Sequence, residues 1–202
     1  LGVIPTVAPF LLPRALPLLR DSFPKLRLFL REDLTHRLIA ALKAGQLDAA
    51  LIALPFYMAG LNWTHVSDDE LLAAMPAGHP LARETSASIA DLERQELILL
   101  EDGHCLREHA LAACGLKPQR SLSGEESFAA TSLPTLVQMV SSGLGMTFLP
   151  AMAVNAGLTD PSAVAVRPIA AVNASREIVV AWRAGSHRGV EAKLIAETLK
   201  RV

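Results

Sequence analysis

The sequence predicts an α/β protein built as two β/α lobes. Short apolar runs of strand character alternate with helical patterns along the whole chain. A break rich in Pro and Gly at residues 76–80 separates two such series. With 202 residues, 51% of them hydrophobic, the chain can bury one full core or two smaller ones. Alternation of this kind favours open parallel sheets that bind ligands at the strand ends, so the cleft between two lobes is the expected site.

The elements follow in order. Leu1-Gly2-Val3-Ile4-Pro5 reads as the tail of a strand. Residues 9–24 carry a Leu-rich helical pattern in which Pro13 and Pro17 must kink the helix or confine it to short pieces. Over residues 26–31, Leu26, Leu28 and Leu30 alternate with Arg27, Phe29 and Arg31, the period of a half-buried strand. Asp33 is placed to cap a helix over 34–44, whose Leu34, Leu38, Ala41 and Leu42 share a face and which Gly45 ends. Residues 47–54 then form a buried strand and complete a β-α-β unit over 27–54. In the second series, 71–75 and 97–100 read as strands, 102–114 and 132–142 as helices, and 146–149 as a strand before a polar loop at 155–162. Residues 177–182 are the last strong strand, and 190–202 close the chain as an amphipathic helix.

Composition narrows the function. The 19 Lys and Arg against 20 Asp and Glu form no basic run, so this segment is not expected to hold nucleic acid by itself. The longest apolar stretch, 47–61, is broken by Asp48 and Pro55, and no membrane association is expected. Two cysteines are too few for a secreted disulfide framework, which points to the reducing cytoplasm. His79, His104 and His109 have no zinc-ligand spacing, and neither a metal nor another cofactor is expected. A chain that opens on Leu1 reads as a piece of a longer protein.

Both thiols fall in one short stretch, residues 101–115. Asp102 reads as a helix N-cap, and Gly115 with Lys117 and Pro118 as a stop. Cys105 then lies in the first turn, where the positive helix end and its neighbours His104 and Arg107 favour thiolate, while Cys114 at the negative end stays a thiol. This asymmetry assigns attack on an oxidant to Cys105 and resolution to Cys114. Nine helical steps put the two side chains on opposite faces, with Cα atoms roughly 13 Å apart. A disulfide needs them within roughly 7 Å. Joining the two must therefore unwind the helix, and closing a loop of about ten residues contributes only roughly 2.7 kcal/mol, a weak staple and a workable switch. The competing reading is that both are small buried apolar side chains.

The run Glu101-Asp102-Gly103-His104-Cys105-Leu106-Arg107, with Cys114 nine positions on, resembles the redox loop of the peroxide sensors among the LysR-type transcriptional regulators. Ile4-Pro5-Thr6-Val7, Phe23-Pro24-Lys25-Leu26, Thr35-His36, Gly78-His79-Pro80-Leu81-Ala82, Ala130-Thr131-Ser132-Leu133, Gly143-Leu144-Gly145-Met146-Thr147 and Leu149-Pro150 resemble that family's regulatory domain in the same order. The resemblance implies Rossmann-like lobes like those of periplasmic binding proteins. Lobe I would span 1–70 and 180–202, and lobe II, 71–179, would carry the redox cysteines. It also implies a winged helix-turn-helix domain before residue 1, through which promoter DNA is bound. Regulatory domains would pair as homodimers within a full-length tetramer, with RNA polymerase and a glutaredoxin or thioredoxin reductant as partners.

Carried over by residue, the resemblance makes Cys105 the peroxidatic thiol for hydrogen peroxide and Cys114 the resolving one. Thr6 and Thr35 would position peroxide, His104 would lie beside the sulfur, and Arg176 would hold the thiolate charge, with Arg183 as a second candidate. On this reading the chain is a regulator and not an enzyme. Two alternatives stay open: an effector domain that binds a small organic anion through Thr131 and Ser132, and a thiol peroxidase.

Overall fold

The computed structural model describes residues 1–115, 129–171 and 174–202. In chain order its elements are β1 (Gly2–Val3), α1 (Ala8–Ser22), β2 (Arg31–Glu32), α2 (Thr35–Lys43), β3 (Ala50–Leu54) and β4 (Leu61–Pro76). After a 3-10 turn at Pro80–Arg83 come β5 (Ala87–Ser88), α3 (Ile89–Leu92), β6 (Leu99–Leu100), α4 (Cys105–Ala113), β7 (Ala129–Ala130) and α5 (Leu133–Ser141). The chain continues through β8 (Thr147–Pro150), α6 (Ala151–Asn155), β9 (Val164–Ala170), β10 (Ser175–Arg183) and α7 (Gly189–Leu199). It divides into unit 1, Leu1–Asp69 with Arg176–Val202, and unit 2, Glu70–Ser175. The return crossing comes earlier than the sequence suggested, and this assigns Arg176 to unit 1.

In unit 1 the strand order is β2-β1-β3-β10-β4. β1 is parallel to both β2 and β3, so the expected β-α-β crossover exists but steps over β1 instead of joining neighbours. β10 returns antiparallel against β3, with Glu177 opposite Leu54, and the sheet is mixed where an all-parallel one was expected. Its central strands are apolar on both sides: Ala50, Leu51, Ile52, Ala53, Val179 and Val180 are fully buried.

Pro13 and Pro17 do not divide α1. They lie four residues apart on its exposed face, where water can serve the carbonyls that lose a partner, while Leu11, Ala15 and Leu19 face the core. The strand expected over 26–31 is not formed. Only Arg31 and Glu32 pair, at the edge of the sheet, and Leu26, Phe29 and Leu30 are exposed. Alternation sets their period, but among the described residues no second strand covers the face they present. Asp33 does not cap α2. The N-cap position is Leu34, whose N–H donates to Asp33 Oδ1 at 2.9 Å, and the Asp33 carboxylate is held by Arg31 and Arg37.

In unit 2, β4 lies between β8 and β9, antiparallel to both, and β9 runs parallel to β5. β6 and β7 form a separate parallel pair. β4 is much longer than the strand expected at 71–75, and β9 was not foreseen because Pro168 and weak alternation hide it. Leu71, Met75, Leu92, Leu100, Leu136 and Phe148 are among the core side chains. α5 starts as expected: Ser132 accepts the N–H of Thr135, and Pro134 fits the first turn. Gly145 is required, since at φ 147° a Cβ would come within 2.6 Å of the Glu96 carbonyl oxygen. Among the described residues, no helix is long and apolar enough to cross a membrane, and no three His, Cys, Asp or Glu side chains are placed to hold a metal.

Candidate functional site

The two thiols mark the ends of α4. Gly103, at φ 98°, turns the chain, His104 takes the N-cap position and Cys105 is the first helical residue. Cys114 is the C-cap, its N–H donating to the Ala110 carbonyl at 3.2 Å, and Gly115 at φ 62° ends the helix. The helix thus starts three residues later than expected, and Asp102 is not its cap. Reoriented by Gly103, the exposed Asp102 carboxylate pairs instead with Arg107 Nε at 3.3 Å. Arg107 also donates from Nη1 to the Leu100 carbonyl, so its guanidinium is committed on the β6 side. Lys117 and Pro118, expected to help stop the helix, lie outside the described residues.

Cys105 and Cys114 are not joined in a disulfide, and both are buried. Burial pushes the Cys114 thiol up to about 11, which holds it more firmly in its protonated form. Burial also lowers the His104 imidazole below its ordinary value of 6.5, with the Glu101 carboxylate opposing. At neutral pH His104 is therefore uncharged, and it does not supply the positive charge that the sequence suggested.

The other expected residues converge within unit 1. Thr6 follows β1 and Thr35 opens α2 directly after β2, so both lie where adjacent parallel strands hand over to helices. Arg176 is the second residue of β10, next to Glu177, which pairs with the last residue of β3. All three are buried at this carboxyl edge of the sheet. Arg176 donates from Nη1 to Thr6 Oγ1 at 2.7 Å and from Nη2 to the Thr6 carbonyl at 3.0 Å. Its Nε and Nη2 reach one carboxylate oxygen of Asp69, at 3.0 and 2.9 Å. A guanidinium has only donors, so Thr6 Oγ1 accepts here and its own hydrogen is directed elsewhere. Arg183, the second candidate, is exposed at the end of β10, and His36 is exposed on α2.

The structure thus joins Thr6 to Arg176 in unit 1 and strings His104, Cys105 and Cys114 along one helix of unit 2. Asp69 escaped the sequence reading because Ser67-Asp68-Asp69-Glu70 looks like a solvated charge run. The available signal was the two-residue period that carries Asp69 onto the same face as Leu71, Ala73 and Met75, all of them buried. Ser132, expected to hold an anion, is occupied by Thr135, and Thr131 is exposed.

Residues 1–202 match the LysR substrate binding domain family along their whole length. The chain belongs to that family. This LysR substrate binding domain is 36% identical over 200 residues, 99% of its length, to the hydrogen peroxide-inducible genes activator of Pectobacterium carotovorum subsp. carotovorum. It superposes on the reduced form of the OxyR2 regulatory domain from Vibrio vulnificus with a TM-score of 0.89 at 38% identity, covering 99% of this chain and 92% of that one. A cysteine-to-serine mutant of Corynebacterium glutamicum OxyR with hydrogen peroxide bound matches at a TM-score of 0.89 and 32% identity, over 99% of this chain and 62% of that one. The mixed α/β architecture of this LysR substrate binding domain is therefore that of OxyR regulatory domains. The chain spans 65% of the Pectobacterium relative and 50% of the matching Escherichia coli one, and both carry the names of regulators.

Proposed function

We propose that this LysR substrate binding domain is the regulatory domain of a hydrogen-peroxide-sensing transcription regulator that acts in the cytoplasm. The observation that carries the reading is the placement of two buried thiols, not joined in a disulfide, at opposite ends of one nine-residue helix. The Cys105 thiolate attacks a peroxide oxygen, the O–O bond breaks, and a sulfenic acid and a hydroxide result, the hydroxide taking up a proton to leave as water. The Cys114 thiol then displaces the sulfenic hydroxyl as a second water and forms the disulfide. Wound as it is, α4 holds the two Cα atoms roughly 13 Å apart, beyond the reach of roughly 7 Å that a disulfide requires. Oxidation is thereby coupled to unwinding of α4. Cys114, held protonated by burial, gains nucleophilicity only as that unwinding exposes it.

In this reading Thr6 and Thr35 orient the peroxide, His104 lies beside the Cys105 sulfur, and Arg176 stabilises negative charge as the hydroxide departs. The refolded segment changes how regulatory domains pack as homodimers in a full-length tetramer, and so how a DNA-binding domain and RNA polymerase meet at the promoter. Glutaredoxin or thioredoxin returns the pair to dithiol. The effector reading loses support from Ser132, whose hydroxyl is already engaged. The test is oxidation with stoichiometric peroxide followed by disulfide mapping by mass spectrometry. A Cys105–Cys114 bond is expected, and its absence sinks the mechanism. A regulator that still responds to inducer after Cys105→Ser would instead be an effector sensor, and rapid repeated turnover with thioredoxin would mark a peroxidase.

A further inference from the structure

His109 is a buried titratable side chain of unit 2 that the proposed chemistry leaves unused. It is 5% exposed, as is Cys105, and follows it by four residues in the continuous helix α4. Four helical steps turn through about 400°, which leaves the two side chains about 40° apart on one face. Their β-carbons are then about 6 Å apart. Helical side chains lean toward the N-terminus, so the His109 ring lies back over the turn that begins at Cys105. His104 is the immediate sequence neighbour, yet it occupies the non-helical N-cap, and residues one step apart do not face each other. Cys114, nine steps on, is on the opposite face. The charged groups of this segment are engaged elsewhere or exposed: Arg107 is held by Asp102 and the Leu100 carbonyl, and Glu101 and Glu108 are exposed. β6, packed on α4, brings only Leu99 and Leu100.

We propose that His109 is the proton acceptor that converts the Cys105 thiol to its nucleophilic form, a role beyond the residues the family resemblance supplied. It rests on the peroxide-sensing reading for its oxidant. The Sγ proton of Cys105 passes to the imidazole, a transfer that an adjacent histidine makes favourable for a thiol. The thiolate then forms an S–O bond with one peroxide oxygen as the O–O bond breaks. The departing hydroxide takes the proton from the imidazolium and leaves as water. Cys105 ends as a sulfenic acid, peroxide is reduced to water, and His109 returns to its neutral form. Because the pair exists only on a wound helix, the unwinding that lets Cys114 reach Cys105 also dissolves it, and the activating contact is absent from the oxidised state.

The test uses this chain with Cys114→Ser, so that one thiol remains. The pH dependence of Cys105 alkylation by iodoacetamide is measured with and without His109→Gln, together with the rate of sulfenic acid formation by hydrogen peroxide. His109→Gln should raise the alkylation midpoint by about one pH unit or more and slow peroxide oxidation at neutral pH about tenfold. His36→Gln, on the surface, should change neither. An unchanged midpoint in a folded His109→Gln protein overturns the proposal. Should that variant not fold, the His109 ring resonances of the Cys114→Ser protein are titrated by NMR before and after Cys105 is alkylated. A displaced titration midpoint supports the pairing and an identical one overturns it. A displaced alkylation midpoint with no reaction toward peroxide would keep the thiol–imidazole pair and reject the peroxide reading. Peroxide oxidation at the same rate in His109→Gln would do the reverse.

Discussion

Arg176 and Asp69 form an ion pair at 2.9 Å with side-chain exposures of 0% and 2%, and the same guanidinium closes on Thr6 from 170 residues away in sequence. A pair so buried is costly to break, because the remaining charge loses its counter-charge and has no water to replace it. Asp69→Ala is expected to destabilise the domain by about 3–5 kcal/mol, read as a lowered urea midpoint. The double variant Asp69→Leu with Arg176→Met removes both charges and should lose much less. A double-mutant loss equal to the sum of the losses of Asp69→Leu alone and Arg176→Met alone would show that the two side chains are not coupled.

Thr6 accepts a hydrogen bond from a charged donor, which is worth about 1.5–3 kcal/mol when lost. Thr6→Val keeps the shape and removes the acceptor, so a loss of that size is expected in chemical denaturation. Thr6→Ser, which keeps the hydroxyl, should stay near the parent protein. In the peroxide assay the two variants should separate in the same order.

Cys114 gives stability a specific alkaline limit. Its folded pKa of about 11 lies above the ordinary 9.0, so below pH 9 the thiol is protonated in both folded and unfolded chains and its contribution is fully present. As pH rises from 9 toward 11 the unfolded chain ionises and the folded one does not, and stability is lost, by an amount on the order of 1–3 kcal/mol. Cys114→Ser should flatten this part of the stability profile, as measured by urea midpoints on either side of the window.

Gly145 is expected to be the least replaceable glycine of unit 2. At φ 147° a side chain is strained, and its Cβ would press on backbone at Glu96 and on Ile98. Gly145→Ala should cost about 1–3 kcal/mol in strain alone, with the steric clash added. Gly157→Ala, where nothing lies within 4 Å, carries the positive-φ penalty without the clash and should cost less in a thermal melt.

Much of the site was legible because it is local. The helix that carries both thiols, its glycine stop, the helix that begins near Ser132 and the alternation of strands and helices are set by nearest neighbours and side-chain period. What failed was what depends on partners. Residues 26–31 have a strand's period but, among the described residues, no covering strand, and Pro13 and Pro17 have the chemistry of breakers but lie on the exposed face of α1. Asp102 has the chemistry of a cap, but one glycine at positive φ moved the helix start past it.

The sequence by itself determined the kind of protein and the spacing of its thiols. Cys105 and Cys114 are nine residues apart in a stretch with helix-forming composition, and no folding can make that spacing a ready disulfide while the helix is wound. Only the tertiary structure decided the polar cluster of unit 1. Thr6, Asp69 and Arg176 come from three distant segments, and their bonds exist because β1, β4 and β10 share one sheet. It also decided that burial raises the Cys114 thiol and lowers the His104 imidazole, since desolvation depends on what the rest of the chain packs around them.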